Sequence, residues 1–76
     1  MITLENFSEQ NRDRRIGNSL YRICKAESGG KWYIHEEYAD ETGWSSGDFF
    51  YSHDLNYVID KINSFSRERG VLSHVL

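Results

Sequence analysis

The chain has 76 residues, a formal net charge of −3 and 14% aromatic residues. This composition predicts one small globular domain spanning residues 1–76 and excludes a disordered chain. No apolar run approaches the roughly 18 residues of a membrane span, and the single cysteine, Cys24, excludes a disulfide within the chain. Both features suit a reducing cytoplasm, which is the predicted location.

Charge is unevenly distributed along the chain. Residues 26–60 contain eight acidic residues and one basic residue, Lys31, whereas the segments on either side each carry a balance of +2. The densest acidic stretch, residues 36–48, reads EEYADETGWSSGD and includes Tyr38 and Trp44. Such a negative block either keeps the fold soluble or attracts a cationic partner.

The N-terminal segment, residues 3–15, is predicted to contain a short helix. Thr3 is a suitable N-cap, and Leu4 and Phe7 are spaced to share one helical face. The polar run after Phe7 ends in a basic cluster, RDRR, and the following Gly-Asn pair predicts a turn.

The next two segments predict a β-hairpin. Residues 19–26 (SLYRICKA) and 31–38 (KWYIHEEY) alternate around an SGG turn, in which glycine supplies positive φ angles. In the second strand Trp32 and Ile34 share a face with Glu36, which predicts a half-buried carboxylate. That carboxylate is either a functional group or an edge charge that blocks strand aggregation.

The second half of the chain predicts a loop, a strand and a helix. Residues 39–47 are rich in glycine and serine and predict a loop, and residues 48–52 (DFFYS) predict a third strand whose last serine caps the following helix. Residues 53–68 predict an amphipathic helix, because their apolar residues form a single stripe. The stripe contains Leu55, Val58, Ile59, Ile62 and Phe65. The aliphatic tail, VLSHVL at residues 71–76, predicts either a C-terminal edge strand or a contact in a homodimer.

The predicted fold class is therefore α+β: a three-stranded antiparallel β-meander with a C-terminal amphipathic helix on one face, a short N-terminal helix and a terminal edge strand. The predicted order α-β-β-β-α resembles double-stranded-RNA-binding domains. That family has a lysine-rich start to its second helix, whereas the corresponding segment here, SHDLNYVIDK, is acidic at its start.

Two sets of residues are candidates for reactive sites. A hairpin centred on the Gly29-Gly30 pair places Cys24 opposite His35, as in a thiol–imidazole nucleophile, whereas a lone strand cysteine usually serves as a small buried hydrophobe. The three histidines are scattered, and no metal-ligand spacing is present. The sequence therefore predicts a non-enzymatic protein with no metal site and no cofactor.

The acidic stretch predicts a protein-binding surface that attracts a basic partner, with Trp44 as its anchor unless that ring folds back over the core. The predicted contact residues are Glu37, Asp40, Glu41, Trp44 and Asp48. In size, charge and general pattern the chain resembles small phage-encoded inhibitors, including anti-CRISPR proteins. That resemblance implies competition for a basic groove of a nucleic-acid-binding complex.

The sequence also allows two alternative functions. The first is a nucleic-acid-binding regulator, which the overall acidity disfavours. It would use Arg12, Arg14, Arg15, Arg22 and Lys25. The second is a homodimeric structural or regulatory protein that associates through the tail.

Overall fold

A computed structural model describes residues 1–71 as a four-stranded antiparallel sheet with one helix on one face. The strands are β1 (Asp13–Ile16), β2 (Ser19–Lys25), β3 (Trp32–Asp40) and β4 (Gly43–Ser52), and they lie in the sheet in chain order. The helix, α1, spans Leu55–Ser64. The predicted α+β class and C-terminal helix are confirmed, whereas the predictions of three strands and of a short N-terminal helix are wrong.

The N-terminal segment forms a single turn instead of a helix. The backbone N–H of Thr3 donates to the Asn6 side-chain oxygen at 2.7 Å, and Phe7 N donates to Thr3 O at 2.9 Å. The polar residues that follow provide no apolar stripe for a helix to bury. The chain instead enters β1, whose Ile16 pairs with Ser19 of β2 across a two-residue turn in which Gly17 has φ of 57°.

The predicted loop at residues 39–47 is largely strand. β3 continues to Asp40 and β4 begins at Gly43, so Glu41 and Thr42 alone form the turn. One Asp40 carboxylate oxygen accepts hydrogen bonds from the backbone N–H of Thr42 at 2.9 Å and from its hydroxyl at 2.6 Å, which closes the turn. Glycine and serine disfavour strands, but pairing with β3 overrides that weak preference.

The core lies between α1 and the inner face of the sheet, which we define as the face that α1 contacts. The helix begins with Asp54 as N-cap, whose carboxylate accepts a hydrogen bond from Asn56 N at 3.0 Å, two residues after the predicted serine cap. The predicted apolar stripe is confirmed: four of its members are buried and Leu55 packs against them half-buried. The buried apolar residues are Ile2, Tyr21, Ile23, Ile34, Val58, Ile59, Ile62, Phe65 and Val71.

Hydrogen bonds tie the N-terminal segment and β1 to the helix. Asn63 of α1 exchanges two hydrogen bonds with the backbone of Ile2, at 3.2 and 2.6 Å. The Arg14 guanidinium donates to the carbonyls of Ile62 and Phe65, at 2.6 and 2.9 Å, and so satisfies carbonyls at the C-terminal end of the helix. The predicted terminal strand, and the dimer contact through it, comprise residues 71–76. Val71 is buried and lies outside any strand, and residues 72–76 lie outside the described range.

Candidate protein-binding face

The outer face of the sheet is the face opposite α1, and alternation along the strands decides which side chains it carries. On β3 these are Tyr33, His35 and Glu37, while Ile34 and Glu36 between them are buried on the inner face. Because no helix of the described chain packs there, the outer face presents its polar side chains to solvent.

A row of ionisable side chains crosses all four strands on this face. The strand register aligns Asp13, Arg22, His35 and Asp48 in that order. The Arg22 guanidinium donates to both Asp13 carboxylate oxygens, at 2.8 and 2.9 Å. This bidentate contact lowers the pKa of Asp13 and raises that of Arg22. The β1–β2 half of the row is therefore neutralised within the chain.

The β3–β4 half of the row keeps negative charge. His35 Nδ1 lies 2.6 Å from the Asp48 carboxylate, and His35 Nε2 lies 3.4 Å from that of Glu37. Two carboxylates thus face one imidazole, which leaves a net charge of −1 when His35 is protonated and −2 when it is neutral. The side chains of Glu37 and Asp48 are 46% and 40% exposed, so a partner can reach both.

The structure brings together three of the five predicted contact residues. Glu37, Trp44 and Asp48 share the outer face of the β3–β4 hairpin, and Trp44 is 67% exposed. The interpretation in which Trp44 folds back over the core is therefore wrong. Asp40 and Glu41 lie at the tip of the same hairpin, where the Asp40 carboxylate holds the turn and Glu41 is exposed.

We call Glu37, Glu41, Trp44 and Asp48 the acidic face. A shallow depression of about 150 Å³ borders Trp44, and Leu20 and Ala39 contribute to its lining. Tryptophan is a residue type that often anchors protein interfaces, and here its exposed indole lies beside a small concavity and negative charge.

The predicted nucleic-acid site is not gathered on one surface. Arg14 turns inward to the helix end, Arg22 pairs with Asp13, and Lys25 Nζ lies 5.2 Å from the centre of the Trp32 ring. Arg12 joins β2 through its carbonyl, which accepts from Ile23 N at 3.0 Å, and Arg15 is exposed on β1. Three of these five cations are therefore engaged within the fold.

The predicted Cys24–His35 pair is not formed. The register places Cys24 opposite Tyr33, and Arg22 opposite His35, a shift of two residues from the predicted hairpin. The turn is longer than predicted because pairing begins at Lys25 and Trp32. Burial raises the pKa of the Cys24 thiol, which disfavours the reactive thiolate.

The contact between His35 and Asp48 was missed at the sequence level because residues 39–47 were predicted to form a loop, whereas the two-residue turn at Glu41 and Thr42 sets the register that pairs His35 with Asp48. A β-bulge interrupts the pairing only further along β4. Between the pairs Trp32–Ser52 and Ile34–Phe49, β3 has one intervening residue and β4 has two. This bulge shifts the pairing by one residue beyond Phe49, and Tyr51 stacks on Tyr33 with ring centres 5.0 Å apart. The FFY sequence, in which two apolar residues interrupt the alternation, is the sequence signal for this bulge.

No group of three His, Cys, Asp or Glu side chains within residues 1–71 is placed to hold a metal ion. In the same range, α1 lacks the length and apolar character of a membrane-crossing helix. Comparison with known proteins finds no matching family model, no similar curated protein and no similar solved structure.

Proposed function

We propose that this protein is a non-enzymatic binding module whose acidic face contacts a basic surface of another protein. The observation that carries the proposal is the exposed Trp44 ring on the same face of one hairpin as the Glu37 and Asp48 carboxylates. The indole supplies apolar contact area, and the carboxylates supply charge complementary to lysine or arginine.

The proposed mechanism is electrostatic competition. Carboxylates on a rigid hairpin occupy the lysines or arginines that nucleic-acid phosphates would otherwise contact, so the module inhibits a nucleic-acid-binding partner. The turn supports this role because Asp40 fixes its geometry and leaves the neighbouring Glu41 exposed. A preorganised surface of this kind loses less conformational entropy on binding than a flexible loop does.

A fluorescein-labelled octalysine peptide provides a defined cationic probe for the test. The triple variant Glu37→Gln/Glu41→Gln/Asp48→Asn is expected to bind it roughly tenfold more weakly at about 25 mM salt, and the difference shrinks at about 300 mM salt. Fluorescence anisotropy measures both affinities. Trp44→Ala is expected to weaken binding at both salt concentrations, because its contribution is apolar.

A matched control separates the acidic face from net charge. The triple variant Glu5→Gln/Glu9→Gln/Asp60→Asn removes the same charge from exposed positions outside this face, and it is expected to change affinity less than threefold. Equal losses in the two triple variants would mean that the peptide senses only net charge, and the proposal would fail.

Nucleic-acid binding through the arginine cluster stays a prediction, as does a homodimer. A gel-shift titration addresses the first with Arg15→Ala, since Arg15 is exposed, whereas Arg14→Ala would also remove a helix cap. Loss of a shifted DNA or RNA band in Arg15→Ala would favour this alternative function.

A further inference from the structure

A groove of about 600 Å³ lies on the helix side of the molecule, between the end of β4 and the segment that follows α1. Its floor consists of Phe49, Phe50 and Phe65, whose ring centres lie 5.2 to 6.2 Å apart. The groove is on the opposite side of the sheet from the acidic face. Its volume is within the range of about 300–1,000 Å³ that is typical of small-molecule sites.

An unusual backbone conformation builds this floor. Phe50 has φ of 59°, and it is the only non-glycine residue with positive φ in the described chain. That left-handed conformation is strained for a bulky side chain, and it belongs to the bulge that places Phe49 and Phe50 on the same side of β4. Strain of this kind clusters at binding sites, because the surrounding structure must maintain it.

The groove also presents positive charge above the aromatic floor. The guanidinium carbon of Arg69 lies 5.0 Å from the centre of the Phe65 ring and 5.5 Å from that of Phe50. Within residues 1–71, no carboxylate forms a salt bridge with Arg69 or with the neighbouring Arg67. The backbone N–H of Arg69 donates to the buried Tyr21 hydroxyl, so this segment is anchored independently of the Arg69 side chain.

Two contacts within the chain involve the negative groups near these arginines. The acidic residue that lines the groove, Glu68, accepts a hydrogen bond from Asn18 N at 2.6 Å. The partial negative charge at the end of α1 is opposed by Arg14, which donates to the carbonyls of Ile62 and Phe65. The two guanidinium groups of Arg67 and Arg69 outnumber the single Glu68 carboxylate, so the charged side chains that line the groove carry a net charge of +1.

We infer that this groove binds a small carboxylic acid with an aromatic or aliphatic body. The body packs beside the Arg69 guanidinium on the half-buried Phe49 and Phe50 rings. The carboxylate accepts paired hydrogen bonds from the Arg69 guanidinium, with Arg67 at the rim. Arginine suits this role because its planar fork matches a carboxylate and its face stacks on aromatic rings. This site does not depend on the function proposed for the acidic face.

The test uses the full-length ¹⁵N-labelled chain and 4-phenylbutyrate as the probe, followed by NMR. Saturable shifts are expected at Gly70, Arg69 and Phe50, with a Kd below about 1 mM. Arg69→Gln is expected to raise Kd about tenfold and Arg69→Lys by less, because lysine keeps the charge but loses the fork. Lys31→Gln, which removes one charge at an exposed turn position, serves as the control and is expected to bind like wild type.

Three results would overturn the inference. They are the absence of saturable shifts, equal affinity for 4-phenylbutyrate and the neutral 4-phenylbutanamide, and wild-type affinity in Arg69→Gln. If Arg69→Gln loses its dispersed spectrum, Arg67→Gln replaces it and is expected to raise Kd at least threefold.

Discussion

The two faces of the sheet use the same strands for different physical purposes. On β3, Ile34 and Glu36 are fully buried on the inner face, while Tyr33, His35 and Glu37, which alternate with them, reach solvent on the outer face. Alternation thus separates the residues that stabilise the fold from those that determine its surface chemistry. A substitution on the outer face can change binding with little effect on folding, whereas one on the inner face changes folding first.

The inner face has one polar exception. Glu36 is fully buried, and one of its carboxylate oxygens accepts a hydrogen bond from the Ser19 hydroxyl at 2.6 Å. The other oxygen accepts no hydrogen bond in the described structure. A buried carboxylate that is only partly satisfied usually destabilises a fold, so this site contrasts with the apolar residues around it.

The largest expected loss of stability comes from the apolar core on the inner face. Ile34→Ala removes a fully buried side chain from the centre of the core, and it is expected to lower the free energy of unfolding by about 2–5 kcal/mol. Urea denaturation measures this change. Glu37→Ala, on the outer face of the same strand, is the control and is expected to shift stability by less than about 0.5 kcal/mol. Similar losses in both variants would contradict the division of roles between the faces.

A smaller loss of stability is expected at the buried Glu36 carboxylate. Ser19→Ala removes the hydrogen bond to Glu36 and leaves the buried carboxylate without that donor, so it is expected to cost about 1–3 kcal/mol. The double variant Ser19→Ala/Glu36→Met replaces both groups with apolar ones and is expected to recover most of that loss. Chemical denaturation of both variants completes the comparison.

Ser46→Ala, at an exposed position of β4, is the serine control and is expected to have little effect on stability. If the double variant were less stable than Ser19→Ala alone, the buried carboxylate would be stabilising the fold, contrary to this interpretation.

The sequence predicted those elements whose patterns are local. The apolar stripe that ends at Phe65 predicts α1 because it repeats with the helical period, and alternation from Trp32 to Tyr38 predicts β3. β1 was missed because a four-residue strand, DRRI, has too little apolar content to show a pattern. It exists because β2 offers it a hydrogen-bonding partner across the turn at Gly17.

The candidate site was predicted in composition but not in geometry. The density of acidic residues around Trp44 predicted a binding surface there, and the structure places Glu37 and Asp48 on the same face of the sheet as Trp44. Glu37 lies two residues from His35 on the same strand, but the contact of His35 with Asp48 requires the register of β4, which the two-residue turn at Glu41 and Thr42 determines. The glycine- and serine-rich composition of residues 39–47 predicted a loop there, so local sequence patterns did not specify this register.

The smallest expected effect concerns the neutralised half of the outer row. Asp13→Asn removes the bidentate contact with Arg22. Both side chains are about 40% exposed, so solvent screening limits the loss of stability to less than about 0.5 kcal/mol at pH 7. Urea denaturation in parallel with wild type measures the difference.

The pH dependence of that difference has a defined sign. Arg22 lowers the pKa of Asp13 below its ordinary value of 3.8, so the folded protein holds the carboxylate in its charged form more strongly than the unfolded chain does. The stabilisation is complete above pH 3.8 and is lost as the pH falls through the folded pKa. Wild type and Asp13→Asn should therefore converge in stability at acid pH.

Arg22→Gln is the matched control, because it breaks the same contact and should add nothing to Asp13→Asn at pH 7. If wild type and Asp13→Asn still differed in stability by the same amount below the folded pKa of Asp13, then Asp13 would act through packing in β1 rather than through its charge.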